Sequence, residues 1–247
     1  MSILLTFENV TKKFENVKAV DALSFQIPEN KIIGLIGANR AGKTTSLRMV
    51  IRYLLPDSGN IYYRDKDIYT LPDTAFPITY IPDTPVFFEE LTVKEHLSFI
   101  STMYQTENKV SALISLLELE KHLDKVPSIL SKGTQQKLMI ICALLRNYEM
   151  LVADEPFTGL DPKQIKVLKD IFVEQRANGK TIILSTHLLD MIENICDFYV
   201  MIDSGKLLRQ GMLNEILNND KCSTLEELYL YLAKTDKDDF SKEEIEE

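Results

Sequence analysis

Residues 31–44 read Lys-Ile-Ile-Gly-Leu-Ile-Gly-Ala-Asn-Arg-Ala-Gly-Lys-Thr, and this stretch decides the fold. Its first six residues form an apolar run of the kind found in buried parallel strands. A short loop, 37–43, follows the run. Beyond the loop, apolar side chains recur at helical spacing up to Pro56: Leu47, Val50, Ile51 and Leu54. We therefore predict a buried strand, a tight loop and a helix that ends before Pro56.

The loop fits the pattern G-x-x-x-x-G-K-[ST], placed between a strand and a helix. Small residues in such a loop let backbone N–H groups surround a phosphate at the positive end of the helix. Lys43 is expected to contact the β- and γ-phosphates of a nucleotide, and the Thr44 hydroxyl to bind Mg²⁺. A glycine turn followed by a surface lysine is the alternative, and the placement disfavours it. The predicted nucleotide contacts are Gly37, Ala38, Asn39, Arg40, Ala41, Gly42, Lys43, Thr44 and Thr45.

A second apolar stretch, 150–153, ends in two adjacent acids, Asp154 and Glu155. Ligands bind at the carboxyl ends of strands in parallel sheets, and these acids fall at such an end. Asp154 is suited to hold Mg²⁺, and Glu155 to polarise an attacking water in phosphoryl transfer. An acid pair alone is typical of a solvated turn, and the phosphate-binding loop is what favours the functional interpretation.

The rest of the chain alternates between strand and helix patterns. Strands are predicted at 3–10, 22–27, 181–185 and 198–202, and residues 84–146 have an almost wholly helical pattern. A helix is predicted from Asp161-Pro162 to Asn178-Gly179. A last helix follows Ser223-Thr224, and docking on its own domain is favoured over a regulatory or partner role. Strands and helices on both sides of a helical insertion predict an α/β fold with a parallel sheet.

Composition excludes several classes of protein. The 247 residues are 45% hydrophobic and 26% charged with net charge −9, which excludes disorder and disfavours nucleic-acid binding. Residues 235–247 hold seven of the acids and two lysines, so the body of the chain is only mildly acidic. The longest apolar run, Leu138–Leu145, is far shorter than a transmembrane helix needs, and the first residues lack a signal-peptide pattern. The three cysteines have no metal-ligand spacing and are typical of reduced thiols in the cytoplasm.

Three further motifs give the chain a family resemblance. Residues 130–136, Leu-Ser-Lys-Gly-Thr-Gln-Gln, resemble the signature of ABC ATPases and precede a helix predicted at Gln136–Leu145. Residues 158–161 resemble the D-loop, and Ser185-Thr186-His187 resembles the switch-histidine loop. From about Phe7 to Gly211 the chain resembles an ATP-binding subunit of an ABC transporter.

This resemblance implies a P-loop NTPase: a RecA-like parallel sheet core, an N-terminal antiparallel β subdomain and an inserted α-helical subdomain. It implies two chains that enclose two ATP molecules with Mg²⁺, as a homodimer or as a paired cassette. Ser131 and Gly133 would contact the ATP bound by the partner, and Asp161 belongs to the same nucleotide site. His187 would contact the γ-phosphate as a catalytic residue.

Phe14, the two remaining histidines and Asp83 are assigned one by one. Phe14 resembles the aromatic residue that stacks on adenine, with a core phenylalanine as its rival. The remaining histidines, His96 and His122, lie in helical surface patterns and are expected to be solvated. Asp83 stands where the family's Q-loop has glutamine and is retained as an ATP and Mg²⁺ contact.

Arg40 replaces a glycine that is usual in this loop. If the backbone there takes a positive φ, the arginine costs about 1 kcal/mol or more. Its side chain either adds positive charge near the phosphates or projects into solvent.

Residues 80–85, 89–92 and 155–161 resemble most the Ecs-type ATP-binding subunits of Gram-positive bacteria. That resemblance implies a separate membrane permease, and a cytoplasmic subunit peripheral on the inner face of the cell membrane. Phe87-Phe88 lie where the family accepts a cytoplasmic permease helix, although one of the two rings could equally pack in the core.

We expect an ABC ATPase domain over 1–220, with a helical insertion over about 84–146, and a C-terminal helix and acidic tail over 221–247. The favoured function is ATP hydrolysis that drives a permease, with export as the direction. Two alternatives remain: a soluble ABC ATPase without a transport role, and a regulatory module with weak turnover. Repair ATPases carry a long coiled coil before the signature, whereas only 88 positions separate Lys43 from Ser131 here.

Overall fold

The computed structural model describes residues 2–220 and 222–233, which divide between two compact units. The described parts of Met1–Thr74 and Ile183–Glu247 form the first unit, and Ala75–Ile182 form the second. The predicted acidic tail, 235–247, lies outside the described residues.

The secondary structure alternates between strands and helices. The strands are β1 (Ile3–Phe14), β2 (Val17–Pro28), β3 (Ile32–Ile36), β4 (Ser58–Tyr63), β5 (Lys66–Asp67), β6 (Ile78–Ile81), β7 (Met150–Asp154), β8 (Thr181–Thr186), β9 (Phe198–Asp203) and β10 (Lys206–Gly211). The helices are α1 (Lys43–Val50), α2 (Val93–Tyr104), α3 (Glu107–Leu116), α4 (Lys132–Leu144), α5 (Pro162–Ala177), α6 (Leu189–Ile192), α7 (Leu213–Asp220) and α8 (225–233).

An antiparallel sheet in the first unit has the strand order β2-β1-β4-β5. Phe7 on β1 lies opposite Phe25 on β2, and their rings stack with centroids 4.3 Å apart. This sheet confirms the predicted N-terminal antiparallel subdomain. β1 and β2 are longer than the predicted 3–10 and 22–27, because together they form one long hairpin that turns after Phe14.

The same unit contains the strand that leads into the phosphate-binding loop. β3 pairs in parallel with β9, and β10 pairs antiparallel with β9. All five residues of β3 are buried, as expected of a strand covered on both faces. The predicted α/β class with parallel strands is therefore confirmed.

In the second unit, β6 and β7 pair in parallel, and α2, α3 and α4 pack against one another. α5 begins after Asp161 and ends before Asn178, as predicted. The prediction of an almost wholly helical 84–146 is wrong for residues 84–92, which are irregular apart from turns, and for 117–131, which contain only turns and two short 3₁₀ helices. Pro82 and Pro85 favour extended backbone at the residues before them, which opposes a helix there.

α1 ends at Val50. It therefore stops before Pro56 as predicted, but Leu54 of the predicted helical face lies beyond its end, because Arg52 takes φ 61°. The Tyr53 N–H donates to the Arg48 carbonyl and the Arg52 N–H to the Met49 carbonyl, which is the Schellman arrangement that closes a helix.

The C-terminal helix α8 docks on its own unit, as favoured by the sequence. Leu225 and Leu228, on one face of the helix, are 1% and 0% exposed. Among the described helices of both units, none is long and apolar enough to cross a membrane.

Candidate functional site

The phosphate-binding loop joins β3 to α1 in the first unit. Gly42 precedes the first residue of α1 and has φ 102°. A Cβ atom at this position would lie 2.4 Å from the Ala19 carbonyl oxygen, so a larger residue would force the backbone apart. The local fold therefore requires glycine here and places the N-terminus of α1 at the loop.

Lys43 is the first residue of α1 and lies beneath the loop. Its side chain is 6% exposed, and its Nζ donates to the carbonyl oxygens of Gly37, at 2.7 Å, and Ala38, at 3.1 Å. These bonds hold a buried ammonium group at the positive end of a helix, where an anionic phosphate is favoured. Thr44 and Thr45 follow in the first turn and are half-buried.

Arg40 and Asn39 are exposed at the tip of the loop. The loop turns there, because the Ala41 N–H donates to the Ala38 carbonyl at 3.1 Å. Arg40 takes φ 71° in this turn, which is the positive backbone angle at which an arginine was expected to cost stability. The strain is about 1–2 kcal/mol for a residue with a Cβ atom.

Two other predicted residues of the first unit lie at strand ends. Phe14, at the end of β1, is 45% exposed, so the core alternative is wrong. The Lys12 Nζ lies 5.7 Å from the centre of its ring. His187 is exposed and follows β8 directly, where the Thr186 hydroxyl accepts a hydrogen bond from the Leu188 N–H.

The acid pair lies in the second unit, at the end of β7. The Asp154 side chain is buried, and the Tyr80 hydroxyl on the neighbouring strand β6 donates to its Oδ2 at 3.4 Å. Glu155 is half-buried and has φ 47°, an uncommon conformation for a residue other than glycine. Such strain persists where the surrounding structure imposes it and is concentrated at functional sites.

Tyr80 is a residue whose role the sequence patterns did not indicate. Its hydroxyl orients the buried carboxylate of Asp154, and only the pairing of β6 with β7 brings the two side chains together. Period-2 alternation along a strand tells which face a tyrosine occupies but not which acid it meets.

Most of the signature segment, residues 132–136, lies inside α4 rather than before it. α4 begins at Lys132, with Ser131 as its N-cap, so the predicted start at Gln136 is wrong by four residues. The Ser131 hydroxyl accepts from the Thr134 N–H, a bond that stabilises the first helical turn and moves the start towards the N-terminus.

The signature helix and the D-loop are in close contact within the second unit. A Cβ atom on Gly133 would lie 2.5 Å from the Gly159 carbonyl oxygen. The Gln136 side chain donates to the Pro156 carbonyl at 3.3 Å, in the turn directly after Glu155. The signature segment, the D-loop segment and the turn after Glu155 are therefore held together.

Asp161 and Asp83 are both exposed in this unit. The Asp161 carboxylate is the N-cap of α5 and accepts from the Gln164 N–H at 2.9 Å, so it has a structural role in addition to the predicted one. Asp83 lies in the loop after β6, two residues beyond Ile81.

An apolar groove of about 230 Å³ lies beside α2 in the second unit. It is lined by Val86, Phe87, Phe88, His96, Phe99, Ile100, Met139 and Cys142. Val86 and Phe88 are 77% and 58% exposed, whereas Phe87 is half-buried.

His96 forms part of this groove, and the prediction that it is solvated is wrong. Its side chain is 4% exposed, with Nδ1 2.9 Å from the Thr92 carbonyl and Nε2 3.1 Å from the Phe88 N–H. Because a carbonyl only accepts and an amide only donates, the ring is neutral with its proton on Nδ1. His122 is half-buried, and burial, followed by the charge of Lys125, lowers its pKa.

Comparison with known proteins agrees with these motifs. The sequence profile of the family described as "ABC transporter" matches residues 20–158. The chain is 35% identical over 241 residues to the ABC-type transporter ATP-binding protein EcsA of Bacillus subtilis, covering 94% of this chain and 98% of that protein. A solved structure described as the ATP binding subunit of an ABC transporter is 34% identical, with a TM-score of 0.86, and covers 93% of this chain and 99% of that chain.

Among the relatives named for a direction of transport, some are named for export and others for import. The lipopolysaccharide export system ATP-binding protein LptB of Haemophilus influenzae is 30% identical over 88% of this chain and 94% of that protein. The methionine import ATP-binding protein MetN of Mannheimia succiniciproducens is 32% identical over 91% of this chain and 69% of that protein.

Proposed function

Because the chain belongs to the ABC transporter family, we propose that it binds and hydrolyses ATP to drive a separate membrane permease. The observation that carries this proposal is the phosphate-binding loop. There the buried Lys43 ammonium bonds to the Gly37 and Ala38 carbonyls at the N-terminus of α1. A buried cation at a helix N-terminus, beneath a loop of backbone N–H groups, is suited to a triphosphate.

The loop residues 37–45 are assigned to the phosphates, and Phe14 to the adenine. Mg²⁺ prefers oxygen ligands and commonly takes one or two carboxylates together with nucleotide phosphates. The Thr44 hydroxyl, Asp154 and Asp83 supply oxygens of that kind, so the residues present fit the ion. When bound, Mg²⁺ would neutralise charge that develops on the phosphates.

Glu155 is assigned as the group that polarises the attacking water, and His187 as a contact of the γ-phosphate. The buried Asp154 carboxylate is oriented by Tyr80, which leaves Glu155, the half-buried acid of the pair, to act on water. A positioned general base contributes typically about 10²–10⁴-fold to a rate.

The active form is proposed to contain two cassettes around two ATP molecules. In this arrangement Ser131 and Gly133, in the first turn of α4, contact the ATP of the partner cassette, and Asp161 lies in the same interface. The positive end of α4 favours an anionic phosphate, so ATP links the two chains and phosphate loss releases them. A homodimer and a pairing with another cassette are both compatible with these residues.

The apolar groove beside α2 is proposed to receive a cytoplasmic helix of the permease. An amphipathic helix that lays its apolar face into a hydrophobic groove is a common recognition mode, and the exposed Phe88 and Val86 offer such a surface. The chain would then lie at the inner face of the cell membrane. Export is the proposed direction, because the chain covers 94% of the export protein LptB but only 69% of the import protein MetN.

The domain boundaries follow from the same assignment. The ATPase domain is placed over 1–220, with its helical insertion at about 84–146, and the C-terminal helix and acidic tail over 221–247. No observation favours the alternatives of a soluble ATPase or a regulatory module, and the following experiment separates active hydrolysis from the weak turnover of a regulatory module.

Glu155→Gln is the decisive variant, with Lys43→Ala as its matched control. Glu155→Gln is expected to lower ATP hydrolysis by about 10²-fold or more and to accumulate a dimer with ATP and Mg²⁺ in size-exclusion chromatography with light scattering. Lys43→Ala is expected to remain monomeric because it binds ATP poorly. Normal turnover in Glu155→Gln removes Glu155 from its role, and a monomer at high concentration with ATP contradicts the dimer.

A further inference from the structure

The phosphate-binding loop has an additional contact from the far end of the chain. The Tyr229 hydroxyl on α8 accepts a hydrogen bond from the Ala38 N–H at 2.8 Å. The two residues are 191 positions apart and both belong to the first unit. The Ala38 N–H of the phosphate-binding loop is thus bonded to a side chain of the C-terminal helix.

The geometry of one peptide group explains what this bond does. The Gly37 carbonyl and the Ala38 N–H belong to the same trans peptide group and point in opposite directions. The carbonyl accepts from the Lys43 ammonium at 2.7 Å, whereas the N–H donates to Tyr229. Tyr229 therefore determines the orientation of the peptide group whose carbonyl positions Lys43.

The tyrosine is itself held firmly. Leu228, its neighbour on α8, is fully buried, and Leu225, one turn earlier, is 1% exposed. The hydroxyl donates to Oδ1 of Asp203, at the end of β9, over 3.4 Å. Burial, assisted by the charge of Asp203, raises the pKa of Tyr229, so the phenol stays protonated and can donate to Asp203 while it accepts from Ala38.

Asp203 also lies next to a second contact with the phosphate-binding loop. The turn between β9 and β10 begins at Asp203, and the Gly205 N–H in that turn donates to the Ala41 carbonyl at 3.0 Å. The loop is thus held at Ala38 through Tyr229 and at Ala41 through Gly205. Both bonds leave the inner side of the loop to the phosphates.

We propose that Tyr229 is a positioning residue for nucleotide binding: its hydroxyl pre-organises the Gly37–Ala38 peptide group and, through it, the Lys43 ammonium. This inference rests on the proposed function, because it assumes that the loop binds the phosphates. Pre-organisation lowers the cost of ordering the loop when nucleotide binds. It acts on ATP and ADP alike, since both contain the β-phosphate that Lys43 contacts.

The test is Tyr229→Phe in the full chain, which removes the hydroxyl and keeps the ring. A neutral hydrogen bond contributes about 0.5–1.5 kcal/mol, so the dissociation constants of ATP and ADP are expected to rise about two- to tenfold. The KM for ATP should rise by the same factor, with kcat at saturating ATP within about twofold of the unaltered chain. Tyr231→Phe, on the same helix and 53% exposed, is the matched control and is expected to change neither constant.

Binding is measured by titration calorimetry at a temperature where circular dichroism shows both variants folded. An unchanged dissociation constant in Tyr229→Phe, a tighter one, or a loss of kcat without a change in KM would each overturn the role of Tyr229. So would an equal effect of Tyr231→Phe. Lys43→Ala distinguishes failure of the proposed phosphate site from failure of this inference. If Lys43→Ala binds ATP normally, the proposed site is wrong. If Lys43→Ala loses ATP binding but Tyr229→Phe leaves the dissociation constants unchanged, the site stands and this inference is wrong.

Discussion

Gly133→Ala is the change that tests the signature segment most directly. The added Cβ atom would lie 2.5 Å from the Gly159 carbonyl oxygen, whereas ordinary van der Waals contact begins at about 3.4 Å. Both contacting groups belong to the backbone, so no side chain can rotate to make room. The first turn of α4 and the D-loop must therefore separate by about 1 Å.

The substitution is expected to lower both the stability of the chain and its rate of ATP hydrolysis. Overpacking of this kind costs typically about 1–3 kcal/mol in the free energy of unfolding. Displacing by about 1 Å a helix end that we propose to contact phosphate is expected to lower the hydrolysis rate by up to about 10²-fold, because the reacting groups lose alignment. The dissociation constant for ATP at the loop 37–45 should change by less than about twofold, since neither Gly133 nor Gly159 belongs to that loop.

The assay compares steady-state ATP hydrolysis, ATP binding and urea unfolding in Gly133→Ala and in a control, Gly179→Ala. Gly179 has φ 78° at the end of α5, so alanine there is strained by about 1–2 kcal/mol without contacting the signature. The control is expected to lose stability and keep its activity. Unimpaired hydrolysis in Gly133→Ala, or an equal loss in both variants, would refute the reasoning.

The two remaining predictions concern α2 and the groove beside it. The pKa of Glu95 is lowered from its ordinary value of 4.5 by hydrogen bonds from the Thr92 side chain and N–H, so its stabilising effect is complete above about pH 4.5 and is lost as the pH falls through the lowered pKa. Glu95→Gln should therefore flatten the acid limb of a plot of unfolding free energy against pH, and an unchanged slope would contradict this. Phe88→Asp should reduce the fraction of the chain retained on permease-containing membranes about tenfold, as for a central contact of an interface. Met103→Asp, at an exposed position of α2 outside the groove lining, should not, and equal retention of both variants would argue against docking at the groove.

The features that were correctly predicted depend on residues close together in the chain. The apolar run 32–36 with the loop and Lys43 is one, and the helix from Asp161-Pro162 to Asn178-Gly179 is another. In each case the signal and the structure lie within a few residues, so local hydrogen bonding and hydrophobic spacing are sufficient. Ser131 and Asp161 make helix-capping bonds that are equally local, whereas their assignment to the nucleotide site stays a prediction.

The wrong expectations about burial have a common cause. His96 lies in a surface-like helical pattern, yet irregular backbone at Phe88 folds over it and buries the ring. Helical spacing identifies the faces of α2 but not what covers them. The core alternative for Phe14 failed for the same reason, because its burial depends on elements distant in the chain.

The sequence by itself determined the order of the strand, the loop and the helix and the membership of a family, and it supplied the residues that we propose to bind phosphate and magnesium. Only the tertiary structure decided that Tyr229 orients the loop, that Tyr80 orients Asp154 and that Gly133 leaves no room beside Gly159. These contacts join residues 26 to 191 positions apart, and each depends on the packing of whole elements. Local propensity does not predict such packing, since closing a long loop is favourable only once many other contacts have formed.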